Sequence, residues 1–356
     1  MNGEAVGAVR RLLVAARRVV SRRADLAADL VATTGLSPEG VELALTEHLE
    51  VDATDADLAR LVAAAEGARA ARVGVVLSAN VFVGALRAIA FARACAPIVH
   101  VRPSRRDPTF TRALVEALNE GGDASVVLDE DMDPSTFEAG ELHVYGRDET
   151  ISTLKARTRV PVRGHGSGMG VALVGAAADL ASAAAALAED VVPFDQRGCL
   201  SPRITVVVGG ESRARTFAGH LHHALGRLGA AVPRGTATAE ERAEATRYIA
   251  TVSCAGECLV SAHHAIGVAE VGAPLLVPPA YRHIHVAPVA GETSRSDRDA
   301  VAELLRPLAP ALTAIGADDV EDALALARSL GISVRASALG AMQRPPLDGP
   351  VDLRPR

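Results

Sequence analysis

The chain has 356 residues, 49% hydrophobic and 22% charged, an ordinary globular composition whose length sets a prior of about two domains. A net charge of −6, 3% aromatic residues and no tryptophan exclude a broad basic surface or a base-stacking platform, so no nucleic-acid partner is expected. Lys155 is the one lysine among 37 basic residues; this rules out a Walker A loop and leaves Schiff-base chemistry a single candidate, on a helix read as solvent-facing.

The elements follow in chain order. Val6, Val9, Leu12, Leu13, Ala16 and Val20 recur at helical spacing, which predicts one helix over 4–32 with an arginine-studded outer face. Ser37 followed by Pro38 predicts a capped second helix, and Thr54 or Asp55 a third. From residue 73 short β-branched runs alternate with helices. Strands are predicted at 73–78, 98–102, 125–128, 141–146 and 159–163, with helices at 83–95, 108–119 and from 149. Further strands are predicted at 171–174, 204–208, 284–287, 312–316 and 332–334. Helices fill 176–189, 211–228, 238–249, 297–308 and 319–330, and the tail from 340 is irregular. The pattern is that of an α/β protein with parallel sheets. No run of eighteen apolar residues occurs and no signal peptide is read, so no membrane span and a cytoplasmic location are expected.

Four cysteines, Cys95, Cys199, Cys254 and Cys258, form no disulfide framework in a chain this long. Cys254 and Cys258 with the adjacent His263 and His264 make a poor zinc pattern, and no metal is expected. His222 and His223 read as helix surface. Cys199 lies in Gln196-Arg197-Gly198-Cys199-Leu200-Ser201-Pro202-Arg203, a connection into a strong strand. Residue type alone leaves two readings for it. It is a small buried filler, or a nucleophile whose thiolate Arg197 or Arg203 favours. The run Gly164-His165-Gly166-Ser167-Gly168-Met169-Gly170 is either a flexible connection or a place of close backbone approach; it does not fit a dinucleotide fingerprint.

Five ordered segments, over most of 70–350, resemble the acyl-CoA reductase branch of the aldehyde dehydrogenase superfamily, with the glutamate-5-semialdehyde dehydrogenases as a second relative. They are Leu77-Ser78-Ala79-Asn80-Val81-Phe82, Val101-Arg102-Pro103-Ser104, His143 to Thr150, the paired segments at 163–170 and 195–203, and Gly340 to Asp348. The resemblance implies Cys199 as nucleophile and Asn80 as amide donor to the oxyanion. It implies Arg102 and Ser104 at the cofactor ribose, with Gly146 and Thr150 near the pyrophosphate. Glu270, in a remnant of the family's ribose-binding segment, would accept from the nicotinamide ribose. Arg102 stands where the family has lysine, and arginine can also engage a 2′-phosphate, so the expected cofactor is NADPH or NADH.

Where hydrolytic members carry a water-activating glutamate this chain has His165, 34 residues before Cys199. Transfer to or from CoA needs no activated water, so the change suits a reductase; His165 is then a proton relay or a structural residue. The resemblance implies a two-domain fold: helices at 1–60, a Rossmann-like cofactor domain at 61–165, a catalytic α/β domain at 166–335 and a tail at 336–356. Cys199 is expected to face the cofactor domain. The implied activity is NAD(P)H-dependent reduction of an acyl-CoA to an aldehyde, in a homo-oligomer. A semialdehyde dehydrogenase using phosphate or CoA, and a catalytically silent binding subunit, are the alternatives.

Overall fold

The computed structural model describes residues 2–291 and 295–354. The chain divides into two compact units, Met1–Ser167 with Pro346–Asp352, and Gly168–Pro345 with Leu353–Pro355.

The first unit opens with α1 (Asn2–Ser21), α2 (Arg23–Thr34), α3 (Pro38–Glu47) and α4 (Asp55–Ala64). The single helix expected over 4–32 is two. Ser21 Oγ bonds back to the Arg18 carbonyl and Arg22 leaves helical geometry, a competition that ends the helix there. Ser37 caps α3 by accepting from the Gly40 N–H, and Thr54 and Asp57 form a reciprocal capping box on α4. The outward arginines of α1 and its neighbour are paired: Arg10 with Asp55, Arg11 with Asp123, Arg22 with Glu120, and Arg23 with Glu42.

The alternation that follows is β1 (Arg72–Val76), α5 (Gly84–Cys95), β2 (Ile98–Arg102), α6 (Thr109–Glu120), β3 (Val126–Leu128), β4 (Glu141–Tyr145), α7 (Asp148–Arg157) and β5 (Val162–His165). All five strands are parallel, in the order β3-β2-β1-β4-β5. Helix α5 is rich in alanine and buried from Ala85 through Cys95, with the sheet on one side and α1 on the other. Its Arg87 donates to Glu50 (3.0 Å) and to the carbonyls of Gly349 and Pro346 (both 2.7 Å), which fixes the C-terminal segment to this unit.

The second unit comprises β6 (Met169–Val174), α8 (Leu180–Val191), β7 (Pro202–Val208), α9 (Gly210–Ala231), α10 (Ala239–Ala255), β8 (Glu257–Val260), β9 (Ala265–Val268), β10 (His283–Val289), α11 (Arg295–Leu305), β11 (Leu312–Ala317), α12 (Val320–Leu330) and β12 (Arg335–Ala338). The sheet order is β12-β11-β6-β7-β10-β9-β8, parallel except for the β8–β9 hairpin. Val171, Leu173, Ile204, Val206 and Ile315 meet α11 and α12 in one core. The alternate residues Ala172, Val174 and Val207 are buried on the other face, with α8 and α9.

Several boundaries move for local reasons. The strand expected at 332–334 starts at Arg335, because Gly331 caps α12 in a left-handed conformation and the Ile332 N–H closes the cap on the Ala327 carbonyl. The strand expected at 159–163 starts after Pro161, at Val162. Helix α8 starts four residues late, at the cap Asp179, whose side chain accepts from the Ser182 N–H. The β8–β9 hairpin was not anticipated. Its turn also corrects the reading of His222. That ring is half-buried, with Nδ1 2.9 Å from His264 Nε2, and Ser261 Oγ stands 3.0 Å from His264 Nδ1. Among the described residues no helix is long and apolar enough to cross a membrane.

Candidate active site

Cys199 is half-exposed in the turn that enters β7, at the amino edge of the seven-stranded sheet. The turn is built from strained backbone. Phe194, Asp195 and Gln196 have φ of 54°, 50° and 62°, three successive non-glycine residues in the left-handed region. Each costs on the order of 1–3 kcal/mol and persists only where surrounding bonds over-determine it.

Those bonds are present. Gln196 is fully buried; its Nε2 donates to the carbonyls of Pro202 (2.7 Å) and His283 (2.8 Å), and its Oε1 accepts from the His283 N–H (2.8 Å). The side chain thus adds one more rung between β7 and β10 at their amino ends. Asp195, also buried, pairs with Arg282 (2.8 Å) and accepts from the Gly235 N–H (3.0 Å), while its carbonyl accepts from the Tyr281 N–H (2.8 Å). Tyr281 and Arg282 are left-handed too, at φ of 72° and 65°, so two strained turns lock each other.

The turn is also tied to the far side of the sheet. Thr313 of β11 donates to the Cys199 carbonyl, and its Oγ1 lies 3.2 Å from the Met169 carbonyl. A Cβ on Gly168 would overlap Thr313 Cγ2, and one on Gly170 would overlap the Leu200 carbonyl and come within 2.8 Å of Met342 Cε. These two glycines therefore serve close packing beneath the Cys199 turn. Met342 is held there by buried Asp190, whose carboxylate accepts from the Gly340 and Met342 N–H groups (2.6 and 2.8 Å). Burial pushes the Asp190 carboxyl up to about 7 against those bonds.

Of the two arginines considered as thiolate partners, Arg197 is spent on Glu241 (2.8 Å) and the Thr236 carbonyl (3.0 Å), and Arg203 donates to the Pro278 carbonyl (3.3 Å). Glu270 is exposed just after β9, at the carboxyl edge of this sheet; Cys199 is at the amino edge, and the fold does not bring the two together. Gln196, Asp195 and Thr313 had no assigned part in the sequence reading. Their partners lie 87, 87 and 114 residues away, and only the glutamine of the Gln-x-x-Cys segment offered a signal.

The remaining candidates stand at the carboxyl edge of the five-stranded sheet, where ligands bind in such folds. Strand order reverses between β1 and β4. Asn80 is exposed in the segment after β1, and Arg102 ends β2 with Ser104 two residues on. The Leu77 N–H donates to the Arg102 carbonyl (3.0 Å), which draws these segments together. On the other side of the reversal the Gly146 N–H donates to the His165 carbonyl (3.1 Å), and Thr150 is exposed in the first turn of α7.

A nicotinamide dinucleotide fits this donor set. Arg102 gives one N–H to the Met132 carbonyl (3.2 Å) and has four more, Ser104 and Thr150 offer hydroxyls, and nothing stands within 4 Å of where a Gly146 Cβ would be. Asp148 and Glu149 in the first turn of α7 balance the dipole at that helix end. His165 is buried at the end of β5, stacked on Tyr145 (4.3 Å between centroids, 9° between planes) and edge-on to His143.

Comparisons with known proteins agree with this architecture. A family model described as acyl-CoA reductase (LuxC) matches residues 68–345. A search of the curated proteins returns no match. Among solved structures, an oxidoreductase from Marinobacter aquaeolei aligns with a TM-score of 0.73 at 13% identity, covering 96% of this chain and 78% of that one. The methylmalonate-semialdehyde dehydrogenase DddC from Oceanimonas doudoroffii aligns at 0.71 and 14%, covering 97% and 83%. An aldehyde dehydrogenase from Mycobacterium tuberculosis, complexed with NAD+, aligns at 0.65 and 15%, covering 92% and 77%. At such identities the likeness is one of fold.

Proposed function

The chain belongs to the acyl-CoA reductase (LuxC) family, a nicotinamide-dependent oxidoreductase acting on aldehyde or acyl groups, and we propose that it reduces an acyl-CoA thioester to the aldehyde through an acyl group carried on Cys199. The observation that carries the reading is the Cys199 turn: a half-exposed thiol on strained backbone that buried side chains hold in one geometry.

In this reading the Cys199 thiolate attacks the thioester carbonyl. The oxyanion that forms is met by the Cys199 backbone N–H and, by family resemblance, the Asn80 amide. The bond to CoA sulfur then breaks and CoA leaves as a thiolate that takes a proton from water, while Sγ holds the acyl group. Splitting one displacement into two lowers the barrier of each. Reduced nicotinamide, when bound at Arg102, Ser104, Gly146 and Thr150, supplies the hydride. Cys199 Sγ finally leaves as a thiolate, and aldehyde is released. By the resemblance, His165 takes the sequence position at which hydrolytic members carry a carboxylate base; here it is a buried ring stacked on Tyr145, and acyl transfer from CoA needs no base to activate water.

The test is steady-state oxidation of NADPH and NADH by the purified protein with acyl-CoA thioesters of graded chain length, against a semialdehyde with phosphate or CoA in the reverse direction. Turnover with acyl-CoA, abolished in Cys199→Ala and lowered about a hundredfold in Asn80→Ala, is the expected result. Turnover with the semialdehyde alone overturns the substrate assignment.

A further inference from the structure

We propose that Thr313 is a positioning residue for Cys199. The inference rests on the proposed role of that cysteine and extends it to a residue 114 positions away. Along β6 and β11, Met169 pairs with Leu312 and Gly170 with Ala314, so Thr313 is an extra residue, a bulge without a partner in the ladder. A second irregularity falls in the next pair. Gly170 faces Pro202 and Val171 faces Ile204, which leaves Arg203 over. Bulges bend a strand and re-aim a side chain, and are rare in parallel pairs. Here both flank the Cys199 turn.

The outcome is specific. Thr313 is fully buried, and its hydroxyl is turned to the carbonyl of Cys199 itself. That bond fixes the peptide after Cys199, and with it the ψ of the residue that presents the thiol. The Gln196 bonds fix the chain on the near side, three residues earlier. Cys199 is therefore clamped from both ends by buried side chains that offer no group to the reaction. The missing Cβ of Gly168 is the space that Thr313 Cγ2 fills. Valine has the shape of threonine but no hydroxyl, and leaves the Cys199 carbonyl without this donor; serine keeps it.

The experiment compares wild type, Thr313→Val and Thr313→Ser by two readouts. One is the rate at which saturating acyl-CoA acylates Cys199, with the half-saturating concentration measured alongside. The other is amide hydrogen exchange over residues 198–201, where the Ser201 N–H is closed on the Gly198 carbonyl. Thr313→Val is expected to slow acylation about tenfold at unchanged half-saturation and to speed exchange in the turn, with Thr313→Ser restoring both. Acylation by Thr313→Val at the wild-type rate, or unchanged exchange, overturns the proposal. Wild-type Cys199 that takes no acyl group defeats the proposed activity instead, and the exchange readout still decides whether Thr313 holds the turn.

Discussion

Replacing Gln196 with alanine removes three buried hydrogen bonds at once. The His283 N–H loses its acceptor, and the carbonyls of Pro202 and His283 lose a donor each. An unsatisfied buried donor costs about 1–3 kcal/mol, and a carbonyl with a second lone pair already engaged costs less. The sum is about 3–5 kcal/mol, a large share of what a domain of this size holds in reserve. Alanine also keeps the left-handed φ of 62°, so no strain is relieved in return. With a denaturant slope of about 1–3 kcal/mol per molar, urea unfolding followed by far-ultraviolet circular dichroism should show a midpoint about 1–5 M lower. Gln196→Glu is the companion. It can accept from the His283 N–H, but at neutral pH it turns a carboxylate towards the two carbonyls, so it should lose more stability at pH 8 than at pH 5. A Gln196→Ala midpoint within about 0.3 M of wild type would refute the view that this side chain holds the turn.

The other predictions concern charge and the C-terminal segment. Asp195→Ala leaves the buried Arg282 guanidinium with carbonyl partners but no counter-charge and should cost about 3–5 kcal/mol in the same unfolding assay; the double variant Asp195→Ala/Arg282→Met should cost less than the sum of the two single changes. Burial holds His285 down at about 4 against 6.5 in the unfolded chain, so its contribution is intact above pH 6.5 and is lost as pH falls towards 4. His285→Gln removes that loss, and its unfolding free energy should fall less than that of wild type between pH 6.5 and 4.5, by up to ~1.4 kcal/mol per pH unit, read from urea unfolding at each pH. Arg87→Met should free residues 346–352 from the first unit, read as new cleavage there in limited proteolysis while the rest of the chain stays resistant.

Strands such as β1, β2, β7 and β10 were legible because each is a short run rich in β-branched residues, and the Ser37 and Thr54 caps because their residue types answer exposed N–H groups of the helix end. The β8–β9 hairpin was not, since Glu257-Cys258-Leu259-Val260 has neither clear alternation nor a glycine turn. Cys199 itself emerged only through resemblance; its residue type fitted a buried filler as well. The glycines from 164 to 170 show why sequence stops short. A flexible link and a crowded crossing demand the same residue, and only the fold reveals that Gly164 faces Ile151, Gly168 faces Thr313 and Gly170 faces Leu200. The left-handed run at 194–196 is equally hidden, because phenylalanine and glutamine give no hint of positive φ. Strain of that kind is set by partners far along the chain, such as His283 and Arg282.

The central claim is that Cys199 accepts an acyl group from CoA. It is tested most directly by mixing the protein with a long-chain acyl-CoA in the absence of nicotinamide and recording the intact mass, with Cys199→Ala alongside. The expected result is a mass increase of one acyl group, mapped to Cys199 by peptide fragmentation and absent from the variant. An unmodified protein across a range of acyl-CoAs, or an adduct that persists in Cys199→Ala, would contradict it.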